Sequence, residues 1–593
     1  MVKKMLKIKG FKHEGVLILL LSILTAISFP YMLPVSDISI IKSSFIWILI
    51  VIPIFFWYRF SIRKVERKDF LFCVFPAILF SVFLKTGRDL SIYGELSYGF
   101  LSLLKNLVAI TGIFILIYSL LISLLKFKPL KTKRYLLNRQ YNFLFLFIVF
   151  LIAWLPILLI FWPGIYTYDS AMQIYQLLNN SITEHHPVIH TLLLNMIILV
   201  GKLTGSYYIG TIVQTVFQML ICLSVNAYIC SRLSSFKINK LLYFSIIVYY
   251  ALFPLNMLTP IYITKDTLFS TFFFLLIFKF CEYYTLEKKE LSKNKAIELI
   301  IIIVLVGLFR NNAIYALLAT IPFLLFIKNK KVRSNLIFIF ALSSFFTLVT
   351  DQVLVVITKA QPGMQGQMYS VPLQQLARSY NNNQNSFTLN EKKELFNYVP
   401  EKNIKNYNPR ISDYVKGPFT LKKSGNSTGD FIKLWCKVGI KNKKNYTDAF
   451  LMMTQGYWDP NFQFPDNYYK IPIVEVNSRE SEIYGEFDKS SRFPKTRQKI
   501  INAFYKNHFY KNFSILSLLF SPGFTVWMYI ILFLYSKHKN LRSSYFIYIF
   551  LSMYYGTLIL GPVALVRYIY PFMLSFPIML VFVLDRTKSQ NKL

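Results

Sequence analysis

The feature that most constrains this chain is the recurrence of apolar runs long enough to cross a lipid bilayer. About 20 helical residues cover roughly 30 Å of hydrocarbon, and runs of that length recur at 16–33, 143–162, 207–230 and 513–535. Charged residues make up only 16% of the 593 positions, against about 25% in soluble domains. The chain therefore reads as an all-α polytopic membrane protein.

A formal charge of +38 invites a nucleic-acid partner, and the placement of that charge argues against one. Many lysines and arginines fall in short loops between apolar runs, at 59–68, 126–139, 328–333 and 537–542. That is how cytoplasmic loops are written, where anionic lipid also attracts them. The basic N-terminus followed by an apolar stretch resembles a signal peptide, but no small-residue cleavage site follows, so an uncleaved first span is expected. Four of the five cysteines lie in or at apolar runs, and no metal-ligand spacing appears among them.

Orienting the chain by its basic loops places the first spans near 16–33, 45–58, 69–85, 101–126 and 142–162, and later ones near 334–358, 514–535, 543–561 and 571–585. The run 297–327 is interrupted by Arg310-Asn311-Asn312 and reads as a helical hairpin with Arg310 at its outer tip. Three segments remain, near 187–203, 207–230 and 240–258; three crossings would put Asp266 inside and the basic loop 288–295 outside. One of the three is therefore expected not to cross, which leaves about 14 spans. The expected domains are N-terminal transmembrane helices at 1–140, a transmembrane core at 141–358 with its first outer loop at 163–186, an extracytoplasmic α-rich domain at 359–512, and C-terminal helices at 513–593. Within the outer domain Asn390 is a candidate N-cap, and amphipathic helices are expected over 431–439 and 446–454, the second ended by Gly456-Tyr457-Trp458. No repeat of 20–50 residues is present.

The densest group of polar residues follows the fifth span. It contains Asp169, Gln173, Glu184, His185, His186 and His190. Pro163-Gly164 breaks the span, and Ser170 to Leu178 can form an interfacial helix with Asp169 near its positive end. His186 and His190 are four residues apart and share a helix face, with Pro187 suited to the first turn. Helix capping is the plain alternative for Asp169, and interfacial hydrogen bonding for the histidines, since two ligands without a third make a poor metal site. Lys265-Asp266 opens a later aromatic-rich span, where an acid at the helix start and a lysine anchor are the plain reading. Arg310 within an apolar run needs an anionic partner, a carboxylate or a phosphate. Arg567 and Tyr568 sit among tyrosines at another outer boundary.

In this order, Pro163-Gly164, Asp169-Ser170, Gln173, His186-Pro187, Lys265-Asp266, Arg310-Asn311-Asn312, Pro372-Leu373-Gln374-Gln375-Leu376-Ala377-Arg378 and Arg567-Tyr568 resemble the GT-C superfamily of polyprenyl-phosphate-dependent glycosyltransferases. The closest resemblance is to a group of Firmicutes membrane proteins assigned to it, over roughly residues 140–585. The resemblance implies a sugar transferase whose donor is polyprenyl-phosphate-linked. Its acceptor would be an envelope glycopolymer, lipid or protein on the extracytoplasmic face of the cell membrane. Asp169 then corresponds to the first-loop aspartate, an acceptor-activating base or, in metal-dependent branches, a ligand for a divalent cation such as Mg or Mn. Asp266 is the second acidic position. Lys265, Arg310, Arg567 and Tyr568 are expected at the donor phosphate, with Gln173, Glu184, His185, His186, His190, Asn311, Gln374, Gln375 and Arg378 in acceptor-binding or supporting roles. About four helices ahead of residue 140 depart from the simplest layout of that superfamily. The alternative function is a transporter or flippase for a lipid-linked or anionic precursor, although no paired halves are visible in the sequence.

Overall fold

The computed structural model describes residues 11–32, 44–61, 67–96, 99–126, 139–234, 236, 239–285, 292–421, 425, 427–462, 492–503 and 514–590. The expectations for the N-terminal basic segment, for most of the basic loops at 59–68, 126–139 and 288–295, and for much of the last part of the outer domain lie outside these residues. The described chain is almost wholly helical. Among the described residues six helices are long and apolar enough to cross a membrane: Gly15–Met32, Phe100–Lys126, Asn142–Ile160, Tyr207–Leu233, Lys330–Thr358 and Val566–Asp585. A seventh is counted if Lys240–Leu252 and Pro254–Ile261, bent by 50° where they meet, form one span. Pro254 opens the second piece; lacking an amide hydrogen and clashing with the preceding turn, proline breaks a helix at such a point.

The first four helices, Phe11–Ser28, Ser44–Ser61, Arg67–Tyr93 and Phe100–Lys126, pack on one another. Close approach depends on small residues, as is common between membrane helices. A Cβ on Gly112 would sit 2.1 Å from Ser28 Oγ, and Thr25 Oγ1 bonds both Tyr58 Oη (2.7 Å) and Gly112 O (3.2 Å).

The neighbours of the next helices fix their directions. Helix Tyr207–Leu233 begins beside Tyr166, whose hydroxyl bonds Thr211. Further along, Gln218 Nε2 donates to the carbonyls of Pro260 (2.9 Å) and Tyr262 (2.6 Å). The helix ends with Arg232 paired to Glu282, near the far end of helix Lys265–Thr285. The chain returns through Lys240–Leu252, whose Tyr243 hydroxyl donates to Cys230 O at 3.2 Å. It reaches the level of Tyr166 again at strand Tyr262–Ile263, which pairs in parallel with Ile165–Tyr166 in the register Ile165↔Tyr262 and Tyr166↔Ile263. Helix Val188–Thr204 differs from both. It begins just after His186, which contacts Lys265, and ends where Gly201 packs on Tyr207. Both of its ends thus lie at the strand-pair end of the molecule.

Residues from 365 onward build a separate helical core from Ser370–Asn382, Leu389–Tyr398, Thr428–Lys441 and Lys443–Trp458 around Leu376, Tyr398, Phe419 and Phe431. The N-cap expected at Asn390 is instead Thr388, which forms a capping box with Glu391. The Thr-x-x-Glu spacing satisfies two backbone donors at once, which Asn390 does not. The helices expected at 431–439 and 446–454 are longer, because Ser427 and Asp430 box the start of the first and the second runs through Gly456-Tyr457 to Trp458. That last helix leaves its own core and enters the apolar one, where Tyr457 Oη donates to Val563 O at 3.1 Å.

Candidate functional site

Each paired strand runs directly into a helix, and each helix carries an aspartate in its first turn. The register aligns Ile165-Tyr166-Thr167-Tyr168-Asp169-Ser170 with Tyr262-Ile263-Thr264-Lys265-Asp266-Thr267. A Thr-x-Asp-Ser/Thr element therefore occurs twice, and the fold lays the copies side by side. This internal match was present in the sequence and was missed, because six residues recurring once are too short to register as a repeat. Thr167, not Asp169, is the N-cap of helix Tyr168–Leu178: its side chain accepts from Ser170 N, and Ser170 Oγ accepts from Thr167 N at 2.8 Å. The capping reading of Asp169 is thereby corrected. A cap must precede the first turn to reach its amides, and Asp169, inside the turn, is left to face other groups.

Those groups are cations from distant segments. Lys265 Nζ lies 2.6 Å from Asp169 Oδ2, and Arg567 Nη1 lies 3.2 Å from the same oxygen. Arg567 Nε lies 3.5 Å from Asp266 Oδ2, so one guanidinium links the two aspartates. Arg310 Nη1 donates to Asp266 Oδ1 at 2.5 Å, and its Nε donates to Asn312 Oδ1 at 2.8 Å. Asn312 in turn donates to Thr557 Oγ1 at 3.0 Å. The Arg310 guanidinium is stacked 4.4 Å from the Tyr568 ring and 5.2 Å from the Phe269 ring. Two carboxylates thus meet three cations, Lys265, Arg310 and Arg567, a balance of +1 from these five groups.

Burial alone would raise the Asp169 carboxyl, but Arg567 and Lys265 hold it well below the usual carboxylate range. His186 Nδ1 accepts from Lys265 Nζ at 3.0 Å. Because ammonium can only donate, the ring is in the neutral form that carries its proton on Nε2. Burial first, then Lys265, push His186 well below its ordinary value. His185 packs edge-on to His186 at 4.6 Å and contacts Gln367 Nε2 at 3.2 Å; burial and Lys265 lower it too.

The other expected residues divide. Gln173 Nε2 donates to Thr191 Oγ1 at 2.7 Å, and its Oε1 contacts His190 Nδ1 at 2.9 Å, which ties helix Tyr168–Leu178 to helix Val188–Thr204. Glu184 contributes backbone: its carbonyl accepts from Asn311 Nδ2 at 3.0 Å and its amide donates to Gln361 O at 2.8 Å. Gln374, Gln375 and Arg378 bond elsewhere. They reach Asn408 O, Tyr446 O and Gly94 O, with Arg378 Nη2 3.6 Å from Asp448. Their order in the sequence resembled a site motif, and their bonds hold the helical domain from residue 365 onward together and to the turn at Gly94. Arg310, expected at the donor phosphate, is the buried counter-ion of Asp266 in this structure. Asn312, noted in the sequence only as part of the break at Arg310, supports Arg310, and Gln218, which supports the strand pair, was missed because a lone amide in an apolar run carries no distinguishing spacing.

Among the described residues no group of three His, Cys, Asp or Glu side chains converges as a metal site. Asp169 Oδ2 already receives two cationic donors, so this donor set does not fit a divalent metal.

The fold is that of an all-α protein of membrane type, with a cluster of three cations and two carboxylates where two strand–helix elements pair. Residues 179–592 match the model of a family of unknown function, DUF6020, and the chain belongs to that family. The match includes Lys265, Asp266, Arg310 and Arg567 and begins ten residues after Asp169. Neither the curated proteins nor the solved structures give a match.

Proposed function

We propose that this protein is a membrane glycosyltransferase of the GT-C type. It moves a sugar from a polyprenyl-phosphate carrier to a cell-envelope acceptor on the extracytoplasmic face. The observation that carries this reading is the convergence of Asp169, Lys265, Asp266, Arg310 and Arg567 from four separate stretches of chain. In the reaction the acceptor O–H bond breaks and its proton passes to Asp169. The freed oxygen bonds to the anomeric carbon as the bond from that carbon to the phosphate oxygen breaks. The electron pair leaves with the phosphate, whose charge Lys265 and Arg567 stabilise.

The topology that accompanies this reading has 14 crossings. Helix Val188–Thr204 is the segment that stays on the outer side, since both its ends meet the strand-pair end. The broken pair Lys240–Leu252 and Pro254–Ile261 crosses, which returns Asp266 to the side of Asp169. Arg310 then lies at the outer tip of the hairpin formed by Lys293–Leu308 and Ala313–Leu324.

The reading is tested by comparing envelope glycans in cells expressing wild type or Asp169→Asn. The variant is expected to accumulate to normal levels and to lose transfer by at least about 100-fold, the scale of a removed general base. Unchanged glycan in that variant refutes the mechanism.

A further inference from the structure

The charges around Asp169 are satisfied before any substrate is present. Lys265 and Arg567 both address Asp169 Oδ2, at 2.6 and 3.2 Å. A carboxylate held by two cations is a weak base, because accepting a proton forfeits both attractions. The cations are equally committed, and a phosphate placed beside them would be repelled by Asp169. The site as it stands is therefore ready neither to bind a phosphate at full strength nor to remove a proton.

We infer that Asp169 is the resident counter-anion of a phosphate site. An incoming phosphate ester draws Lys265 and Arg567 away from it, and the released carboxylate then serves as the base. This rests on the transferase reading of the same site and fixes the order of events: donor phosphate first, acceptor proton second. The geometry confines the exchange to two cations. Arg310 is buried against Tyr568 and Phe269 and committed to Asp266 and Asn312, so it stays in place. Lys265 and Arg567 remain partly open, their side chains 14% and 16% exposed. The other titratable groups around Asp169 are His186, bonded to Lys265, His185 beside it, His190, bonded to Gln173, and Asp266 across Arg567. No covalent step is added; one anion replaces another at the same cations.

The exchange predicts an effect opposite to that of an ordinary binding residue. Decyl phosphate binding to the full chain in detergent micelles is measured by isothermal calorimetry. Asp169→Asn removes the competing charge and is expected to bind about tenfold tighter than wild type, whereas Lys265→Met and Arg567→Met bind at least about tenfold weaker. A dialkyl phosphate, whose single charge is constant from about pH 4.5 to 8, gives a test on wild type alone. The bound complex holds a proton on Asp169 more readily than the free protein, so affinity rises as pH falls toward 4.5. In Asp169→Asn that rise is absent.

Weaker or unchanged binding in Asp169→Asn overturns the proposal, as does a flat pH profile in wild type. Inorganic phosphate is run in parallel. Weaker binding than decyl phosphate identifies a lipid-linked ligand and equal binding a soluble phosphate, and the exchange stands in either case. Tighter binding in Asp169→Asn without sugar transfer by wild type would leave the exchange intact and refute the transferase. Sugar transfer with no tightening would do the reverse.

Discussion

Replacing Arg310 by methionine tests whether the site depends on a buried ion pair. The Arg310 and Asp266 side chains are 8% and 4% exposed and their atoms approach to 2.5 Å. Removing one partner of a buried pair leaves a charge in low dielectric and costs about 3–5 kcal/mol. Arg567 Nε remains 3.5 Å from Asp266 Oδ2 and retains part of the attraction, so the lower end, about 3 kcal/mol, is expected. At about 1.4 kcal/mol per decade, that is roughly a 150-fold fall in the ratio of folded to unfolded protein. The measurement is equilibrium unfolding in mixed micelles, followed by tryptophan fluorescence and checked by gel filtration. The double variant Arg310→Met/Asp266→Asn no longer buries an unpaired charge and should recover to within about 1 kcal/mol of wild type. A single variant as stable as wild type, or a double variant no more stable than the single, would refute the argument.

Gly164 has φ +147, and a Cβ there would lie 2.5 Å from Thr215 Oγ1, so Gly164→Ala should cost more than about 1 kcal/mol; unfolding of the purified variant measures it, and wild-type stability counts against the strain. Burial pushes the Asp459 carboxyl up to about 7 against the bonds from Gln455 and Asn461. A carboxyl raised on folding contributes its full stability below its unfolded value, and that contribution is lost as pH rises through the folded one. Stability should therefore decline from about pH 4, the ordinary carboxylate value, to about pH 7 and level off above it, and Asp459→Asn should flatten that slope in thermal melts across the same range. An identical slope in the variant would assign the decline to another group.

Much of the helical framework was legible because hydrophobic length is a local property. The runs at 101–126, 207–230 and 334–358 became Phe100–Lys126, Tyr207–Leu233 and Lys330–Thr358 with little change. The break at Arg310-Asn311-Asn312 was readable for the same reason, since three polar residues cannot remain in an apolar run unnoticed. The candidate residues could be named from their types. Their pairings could not: Asp169 with Lys265 joins positions 96 apart, and Asp169 with Arg567 positions 398 apart.

By itself the sequence determined that this is a chain of apolar helices with basic connections, and which ionisable groups stand out against that background. Tertiary structure decided what each group faces. Pairing of Ile165–Tyr166 with Tyr262–Ile263 set the two aspartates in register, and packing around Tyr568 and Phe269 buried Arg310 while leaving Lys265 and Arg567 partly open. The physical reason is one of range. Hydrophobicity acts residue by residue and can be read along the chain, whereas an ion pair depends on a distance of a few ångströms that only the packed helices define.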